Sequence, residues 1–439
     1  MLEGRKHRAM WEMATHRATL LAMVLVLAAV CGTATKHVGV GGREEERREL
    51  GEPSVPTGDE FNFAAAGNAD RKLASYTYLR KAESAYSSCP DGYPTFGKLG
   101  EMLRAWNPNE PDVPEGGVIE RLQALNYSIP AERAMAEKLR DCEVPFKVYG
   151  FPAADAASEK WTDEYLHDNL RECPRCNVMR SENNRFMFWH KPRSPGAYPT
   201  WKPPTKPNDM GFKDWHKWSQ EADALKIGPD DLHYYLTAGV PADKKTPPLT
   251  DSFIANDLSF FSTRTENFFI TDVKYQKGIQ CRFGARGIIA ESHFDHGRNF
   301  ILMLRGRKRY LLNPPQACPY LGIIKEKQHP SFRHSEVDWA DESDWPEGFA
   351  EAPALETVLE AGEFLYIPSF WYHYIVSERY NVQCNARSGI SLREAWINQT
   401  ESCMGREFPT PGEMNNNKPT PLTRGKAHPY LKTGQHGHP

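Results

Sequence analysis

The sequence predicts a mainly β domain over residues 143–390, with a helical region before it and polar segments on either side. Three observations carry that reading. From Val144 the pattern becomes short strands separated by turn residues. The 11 tryptophans, 18 tyrosines and 21 phenylalanines suit a β-rich core, where aromatic side chains pack well. The stretch GIIAESHFDHGRNFILMLRGRKRYLLNPP (287–315) has strand character, and within it His293 and Asp295 stand two residues apart. A chain of 439 residues exceeds what one core usually organises, so extra segments are expected around the main domain.

In chain order, Arg5, Lys6, Arg8 and Arg17 precede the apolar run LLAMVLVLAAV (20–30), and Gly32 and Ala34 hold the small-residue positions of a cleavage site. That order is the order of a secretory signal peptide, and the run is short for a bilayer span, which needs about 20 residues. Residues 1–34 are read as a signal peptide or as its uncleaved, membrane-anchoring form. An organellar transit peptide fits less well, because the apolar block is continuous and Glu3 and Glu12 interrupt a normally acid-poor type of sequence. Residues 35–70, with the charge run REEERRE (43–49), have no face to bury and read as a disordered linker.

Helical signals fill 71–142. They start with KLASYTYLRKAESAY (72–86) and continue through Phe96, Leu99, Leu103 and Trp106, one apolar face that Asn107-Pro108 ends. ERAMAEKLRDC (132–142) is a further helix. Beyond Val144, the Pro-rich loop HKPRSPGAYPTWKPPTKP (190–207) is either a wall where a peptide could lie or a surface excursion. FKDWHKW (212–218) opens a helix and LHYYLTA (232–238) reads as a strand. An insert at 317–345 separates the two chemically interesting stretches, and 391–439 reads as a polar, disordered tail.

Net charge is −3, which gives no electrostatic case for nucleic acid, a ligand that calls for a basic face. The one dense basic run, RGRKR (305–309), lies in an expected core strand. Nine cysteines become eight once Cys31 leaves with a signal peptide, an even number suited to disulfides in an oxidising lumen. Cys173 and Cys176 form a C-x-x-C with no second pair to complete a zinc set, so a structural disulfide is the favoured reading over metal or redox roles. Asn126-Tyr-Ser and Asn398-Gln-Thr are glycosylation sequons that matter only on secretory entry.

A strand turns residues i and i+2 to one face, so His293 and Asp295 aim at one spot. A second histidine, His373, lies in GEFLYIPSFWYHYIV (362–376) after a turn begun by Gly362. By itself His373 reads as an aromatic-cluster histidine among Trp371, Tyr372 and Tyr374. Together the three make the two-histidine, one-carboxylate set of non-haem Fe(II) oxygenases. His296 points away from Asp295, while His329, His334, His428, His436 and His438 lack a strand frame.

With HFD, then Asn299, Lys308 in RGRKRY, the NPP exit and a Gly-Glu turn before W-Y-H, the sequence resembles the cupin-like branch of the JmjC oxygenases. Among these it is most similar to the asparaginyl-hydroxylase type exemplified by factor inhibiting HIF. The resemblance spans roughly Glu143 to Ser388, since VPFKVYGF and KWTDEYL also look like that domain's opening strand and helix. An H-x-D alone is common by chance, and the combination at matching spacings carries the specificity.

The resemblance implies a double-stranded β-helix, the jelly-roll form of the cupins, in an Fe(II)- and 2-oxoglutarate-dependent dioxygenase. Such an enzyme uses O2 to hydroxylate an unactivated C–H bond, here most plausibly on a protein or peptide side chain. It implies His293, Asp295 and His373 as iron ligands, and Lys308 as the cation that holds the far carboxylate of 2-oxoglutarate. Tyr235, with Tyr234 as the alternative, would assist, and Asn299 and Asn385 would stand near metal and co-substrate. Strand alternation places Arg307 and Arg309 on the face opposite Lys308, and an inward lysine without an anion is costly.

One residue departs from the type: Ala290 stands where a threonine is found, three positions before the first ligand. One hydrogen bond to the co-substrate, about 1.5–3 kcal/mol, is therefore missing or supplied elsewhere, with Ser292 and Ser388 as candidates. Two other classes compete: a metal- or ligand-binding cupin without oxygenase turnover, and an inactive barrel acting as an interaction scaffold.

Overall fold

The computed structural model describes residues 93–408, apart from 116, 172, 174, 175, 193–195, 242–251, 264 and 392. The expected leader, linker and first helix (72–86), and the chain beyond Phe408, lie outside the described residues. Among the described residues no helix is long and apolar enough to cross a membrane.

The chain opens with β1 (Gly97–Lys98), α1 (Leu99–Ala105), β2 (Ala124–Asn126) and α2 (Pro130–Asp141). Next come β3 (Phe146–Tyr149), α3 (Pro152–Lys160), α4 (Asp163–Leu170), β4 (Asn177–Ser181), β5 (Arg185–Phe186) and β6 (Lys206–Asn208). Then follow α5 (Phe212–Leu225), β7 (His233–Val240) and α6 (Phe253–Asp257). The second half is almost all strand: β8 (Ile279–Gly284), β9 (Ile289–Phe294), β10 (Gly297–Arg305) and β11 (Arg307–Asn313) precede the insert. After it run β12 (Pro353–Glu360), β13 (Phe364–Ile367), β14 (Tyr372–Ser377), β15 (Asn381–Ile390) and α7 (Glu394–Met404).

Strands β8 to β15 build two facing quartets. One is ordered β13-β10-β15-β8 and the other β12-β11-β14-β9, each within a larger sheet. All pairings inside the quartets are antiparallel. This is the expected jelly-roll cupin fold. The first half widens it: β7, β4 and β6 continue one sheet past β8, β3 and β2 continue it past β13, and β1 and β5 flank the other.

Residues 93–142 are less purely helical than their periodicity suggests, because β1 pairs with β12 and β2 pairs in parallel with β3. Strands of two or three residues are too short to show a period in sequence. The 391–439 segment also departs from expectation. Its first part forms α7, held by a Cys318–Cys403 disulfide and by buried Trp396, Met404 and Phe408. Polar composition hid three apolar anchors. Cys173–Cys176 is a disulfide, as expected, and Cys281–Cys384 ties directly opposed residues of β8 and β15.

The basic run RGRKR is no patch. Arg305 pairs with Asp163, Arg307 with Glu378 and Arg309 with Glu356. Between Arg305 and Arg307 the chain reverses at Gly306, φ +66°, where a Cβ would meet the Tyr380 carbonyl oxygen at 2.2 Å. Only glycine fits. Arg309 is fully buried under α1, whose Leu99, Met102 and Leu103 cover the sheet with Trp106. Its Nε donates to Glu356 Oε1 at 2.6 Å, and its two Nη atoms donate to the carbonyls of Trp106 at 2.6 Å and Met102 at 3.0 Å. The guanidinium also lies 4.4 Å from the Trp106 ring centre. One cation therefore closes the C-terminal end of α1 and fixes it to the barrel.

Arg309→Ala should lower stability by about 3–5 kcal/mol in urea unfolding, because it strands buried Glu356 and frees the end of α1. The double variant Arg309→Met/Glu356→Leu should lose clearly less. Equal losses in the two would contradict the ion-pair account.

Candidate functional site

His293 near the end of β9 lies directly opposite His373 on β14. Asp295 falls one residue beyond the end of β9, yet its carboxylate still lies with the two imidazoles, all ligand atoms within 4.8 Å of one another. The register between β9 and β14 shifts by one between His373 and Ile375, where Glu291 and Ser292 together stand opposite Tyr374. Such a bulge breaks strict alternation. Ala290, paired with Ile375, consequently faces the same side as His293 although it stands three positions before it.

The donor set suits a divalent ion. His293 Nδ1 donates to the Glu291 carbonyl at 2.8 Å and His373 Nδ1 to the Trp371 carbonyl at 3.1 Å, which leaves each Nε2 as the free ligand atom. Burial lowers the pKa of both imidazoles, His293 more so because His373 and His334 crowd it, so both stay neutral and able to ligate. Burial alone would raise the Asp295 carboxyl, but the Arg387 guanidinium, with Arg333 beyond it, outweighs it and holds the group well below the usual carboxylate range. Phe370, with φ +67°, donates its N–H to the Asp295 carbonyl at 2.8 Å and ties the ligand turn to the start of β14. Backbone strain of this kind collects at functional sites.

Lys308 on β11 is buried, and its Nζ donates to the Tyr235 hydroxyl of β7, across the barrel, at 3.2 Å. Tyr234 instead packs on Trp218, so Tyr235 is the tyrosine at this spot. Burial, with the Arg282 charge added, pulls the Lys308 pKa far below the ordinary lysine value, and burial pushes the Tyr235 hydroxyl up to about 12. Asn385 Nδ2 donates to Asn299 Oδ1 at 2.9 Å across β15 and β10. Of the two hydroxyls expected to replace the missing threonine, Ser388 already accepts the Thr271 N–H at 3.0 Å, while buried Ser292 Oγ has no partner among the described residues.

Sequence reasoning missed four neighbours. Arg387 donates to Asp295 Oδ1 at 2.6 Å, and two-residue spacing from Asn385 was the available signal. Arg282 and Gln280 alternate into the same space from β8, polar residues in an otherwise apolar strand. His334, expected to lack a frame, bridges to His293 and stacks on it with ring centres 4.8 Å apart. His296 packs among Phe294, Phe370 and Phe408 and takes no part in the ligand set. Lys308 is therefore not the only inward cation.

The Pro-rich loop leans on the insert, with Tyr198 and Trp201 against His329 at ring separations of 5.2 and 6.4 Å.

Comparison with known proteins agrees with this geometry. The cupin-like domain matches residues 132–386, more than half of the chain. The chain is similar to tRNA wybutosine-synthesizing protein 5 of Gallus gallus, 28% identical over 161 residues, covering 36% of this chain and 47% of that protein. It is also similar to lysine-specific demethylase JMJ30 of Arabidopsis thaliana, 28% identical over 165 residues and 36% of each chain. HSPB1-associated protein 1 of Homo sapiens is 29% identical over 161 residues, 34% of this chain and 32% of that one. The chain thus spans about half the length, or less, of these relatives. With the jelly roll, the paired histidines and the matched segment in agreement, the chain belongs to the cupin-like domain family.

Proposed function

We propose that this protein is an Fe(II)- and 2-oxoglutarate-dependent dioxygenase that hydroxylates a side chain of a protein or peptide. The observation that carries the reading is the pairing, inside one barrel, of two neutral histidines and one carboxylate with a buried lysine that has no anionic partner among the described residues. A scaffold has no use for such a lysine. The asparaginyl-hydroxylase type is part of this reading on the strength of Lys308, Asn299 and Asn385, although Ala290 lacks that type's hydroxyl. The similar proteins named as a tRNA-modifying protein and a demethylase favour the oxygenase class over a non-reactive cupin, without pointing to one substrate.

Iron bound at the site supplies oxidising power: one atom of O2 enters the substrate C–H bond and the other enters succinate, with carbon dioxide lost from 2-oxoglutarate. The protein's own part is placement. His293, Asp295 and His373 would hold the metal from one side. Lys308 and Tyr235 would hold the far carboxylate of the 2-oxo acid and so set its orientation. Apolar walls such as Ile375 and Leu312 exclude water from the reacting centre.

Secretory entry, with the endoplasmic reticulum or Golgi lumen or the outside as destination, is part of this reading. The disulfides support it, because such bonds persist in oxidising compartments. Of the two sequons, Asn398 is exposed on α7, whereas the Asn126 side chain is engaged with the Ser128 backbone N–H. Expressed in a secretory host, the full chain should carry glycan at Asn398, seen as a glycosidase-sensitive shift absent from Asn398→Gln. An unshifted chain recovered from cytosol would refute the location.

Iron with 2-oxoglutarate should yield succinate, and Asp295→Ala should lose both metal, by elemental analysis, and turnover. Lys308→Ala should keep the metal but raise the half-saturating 2-oxoglutarate concentration about 10- to 100-fold, the scale of one charge-assisted bond. Lys308→Arg should not restore it, since the planar head cannot occupy the same point. Unchanged 2-oxoglutarate dependence in both variants would sink the assignment.

Burial favours neutral Lys308 in the empty cavity, and a bound dianion favours the ammonium, so binding should take up protons. Calorimetry in two buffers of different protonation enthalpy should show net uptake in wild type and none in Lys308→Ala. By the same sign, 2-oxoglutarate affinity should weaken as pH rises.

A further inference from the structure

The charges around the site do not balance. Arg282 on β8 donates from Nη2 to Gln280 Oε1 at 3.0 Å, and Arg387 on β15 donates from its own Nη2 to the same oxygen at 3.0 Å. One amide oxygen holds two guanidiniums side by side. Arg387 has a carboxylate, Asp295, at 2.6 Å. Arg282 has no hydrogen-bonded or ion-paired carboxylate among the described residues; its other contact is the Cys281 carbonyl at 3.4 Å. The Tyr235 hydroxyl and the Asp295 carboxylate both act on Arg282, and the Lys308 ammonium is hydrogen-bonded to that same hydroxyl.

These groups lie together between the two sheets, joined by the hydrogen bonds Lys308–Tyr235, Arg282–Gln280, Arg387–Gln280 and Arg387–Asp295. Tyr235, Gln280, Arg282, His293, Asp295 and Arg387 each keep some solvent contact, while Cys281, Phe283 and Cys384 between them are fully buried. Cations in such a place are costly unless anions join them. A 2-oxo dicarboxylate offers one carboxylate to the metal and one to Lys308, and Arg282 is still unmatched.

We propose that Arg282, steadied by Gln280 and backed by Arg387, binds a carboxylate of the prime substrate, whose class is therefore an acidic side chain, Asp or Glu, on a peptide. The proposal rests on the assignment of Lys308 to the co-substrate. A guanidinium has five N–H donors in a planar fork, and the Gln280 and Cys281 oxygens occupy only two. The rest suit a bidentate carboxylate. A nucleic-acid backbone fits less well, because the arginines of the basic run 305–309 are paired internally and the net charge is −3.

The test uses the full chain loaded with Mn(II) and 2-oxoglutarate, titrated calorimetrically with capped single residues: Asp, Glu, Asn, Gln, phosphoserine and Lys. Capped Asp or Glu should bind at least tenfold tighter than its own amide. Arg282→Gln should bring that ratio to about one and cost 2-oxoglutarate clearly less affinity than Lys308→Ala does. Arg282→Lys, which keeps the charge and guards against misfolding, should hold part of the preference. Equal binding of acid and amide, no binding by either acid, or preference for Lys or phosphoserine overturns the proposal. So does an Arg282→Gln protein whose 2-oxoglutarate affinity falls like that of Lys308→Ala. A wild-type protein that ignores 2-oxoglutarate yet prefers the acids in an Arg282-dependent way defeats the co-substrate reading instead. One that binds 2-oxoglutarate through Lys308 but treats Asp and Asn alike defeats only the acidic-substrate class.

Discussion

The register of β9 on β14 is the constraint on which the site depends. It sets His293 opposite His373, and its one-residue shift turns Ala290 toward the same cavity. A flat, regular pairing would send Ala290 to the outer face, away from His293 and His373. One backbone bond anchors this register: the Phe370 N–H donates to the Asp295 carbonyl. In the opposite quartet the Cys281–Cys384 disulfide ties β8 to β15.

The second determinant is electrostatic. Four cationic groups, Lys308, Arg282, Arg387 and Arg333, surround a space that holds one ligand carboxylate, Asp295. Arg333 comes from the insert at 317–345, as does His334, so that segment buttresses the candidate ligand set and is more than a spacer. A cavity of this charge stabilises anions and repels cationic side chains. It also explains why Lys308 is poised to change protonation when a dianion arrives.

Much of this was legible in the chain. Period-two alternation exposed His293, Asp295 and Lys308, and the helical period exposed α1 and α2, because long or strongly patterned segments announce themselves. Three features stayed hidden for physical reasons. The edge strands β1 and β2 are too short for any period. α7 is polar on average and is held by only a few anchors, among them Trp396 and Cys403. Arg282 and Arg387 look like ordinary strand-face charges until both are found on Gln280, a convergence that only the pairing of β8 with β15 creates. The basic run RGRKR taught the reverse lesson, since its arginines end in ion pairs and only its lysine is left for a ligand.

The central claim is that metal ligands and Lys308 serve one ligand in one cavity. It is tested most directly by anaerobic titration of the Fe(II)-loaded chain with 2-oxoglutarate, followed by visible charge-transfer absorption. The account predicts a band that saturates at one 2-oxoglutarate per iron and that requires far more 2-oxoglutarate in Lys308→Ala at equal iron content. Iron binding with no band, or a band indifferent to Lys308, would contradict it.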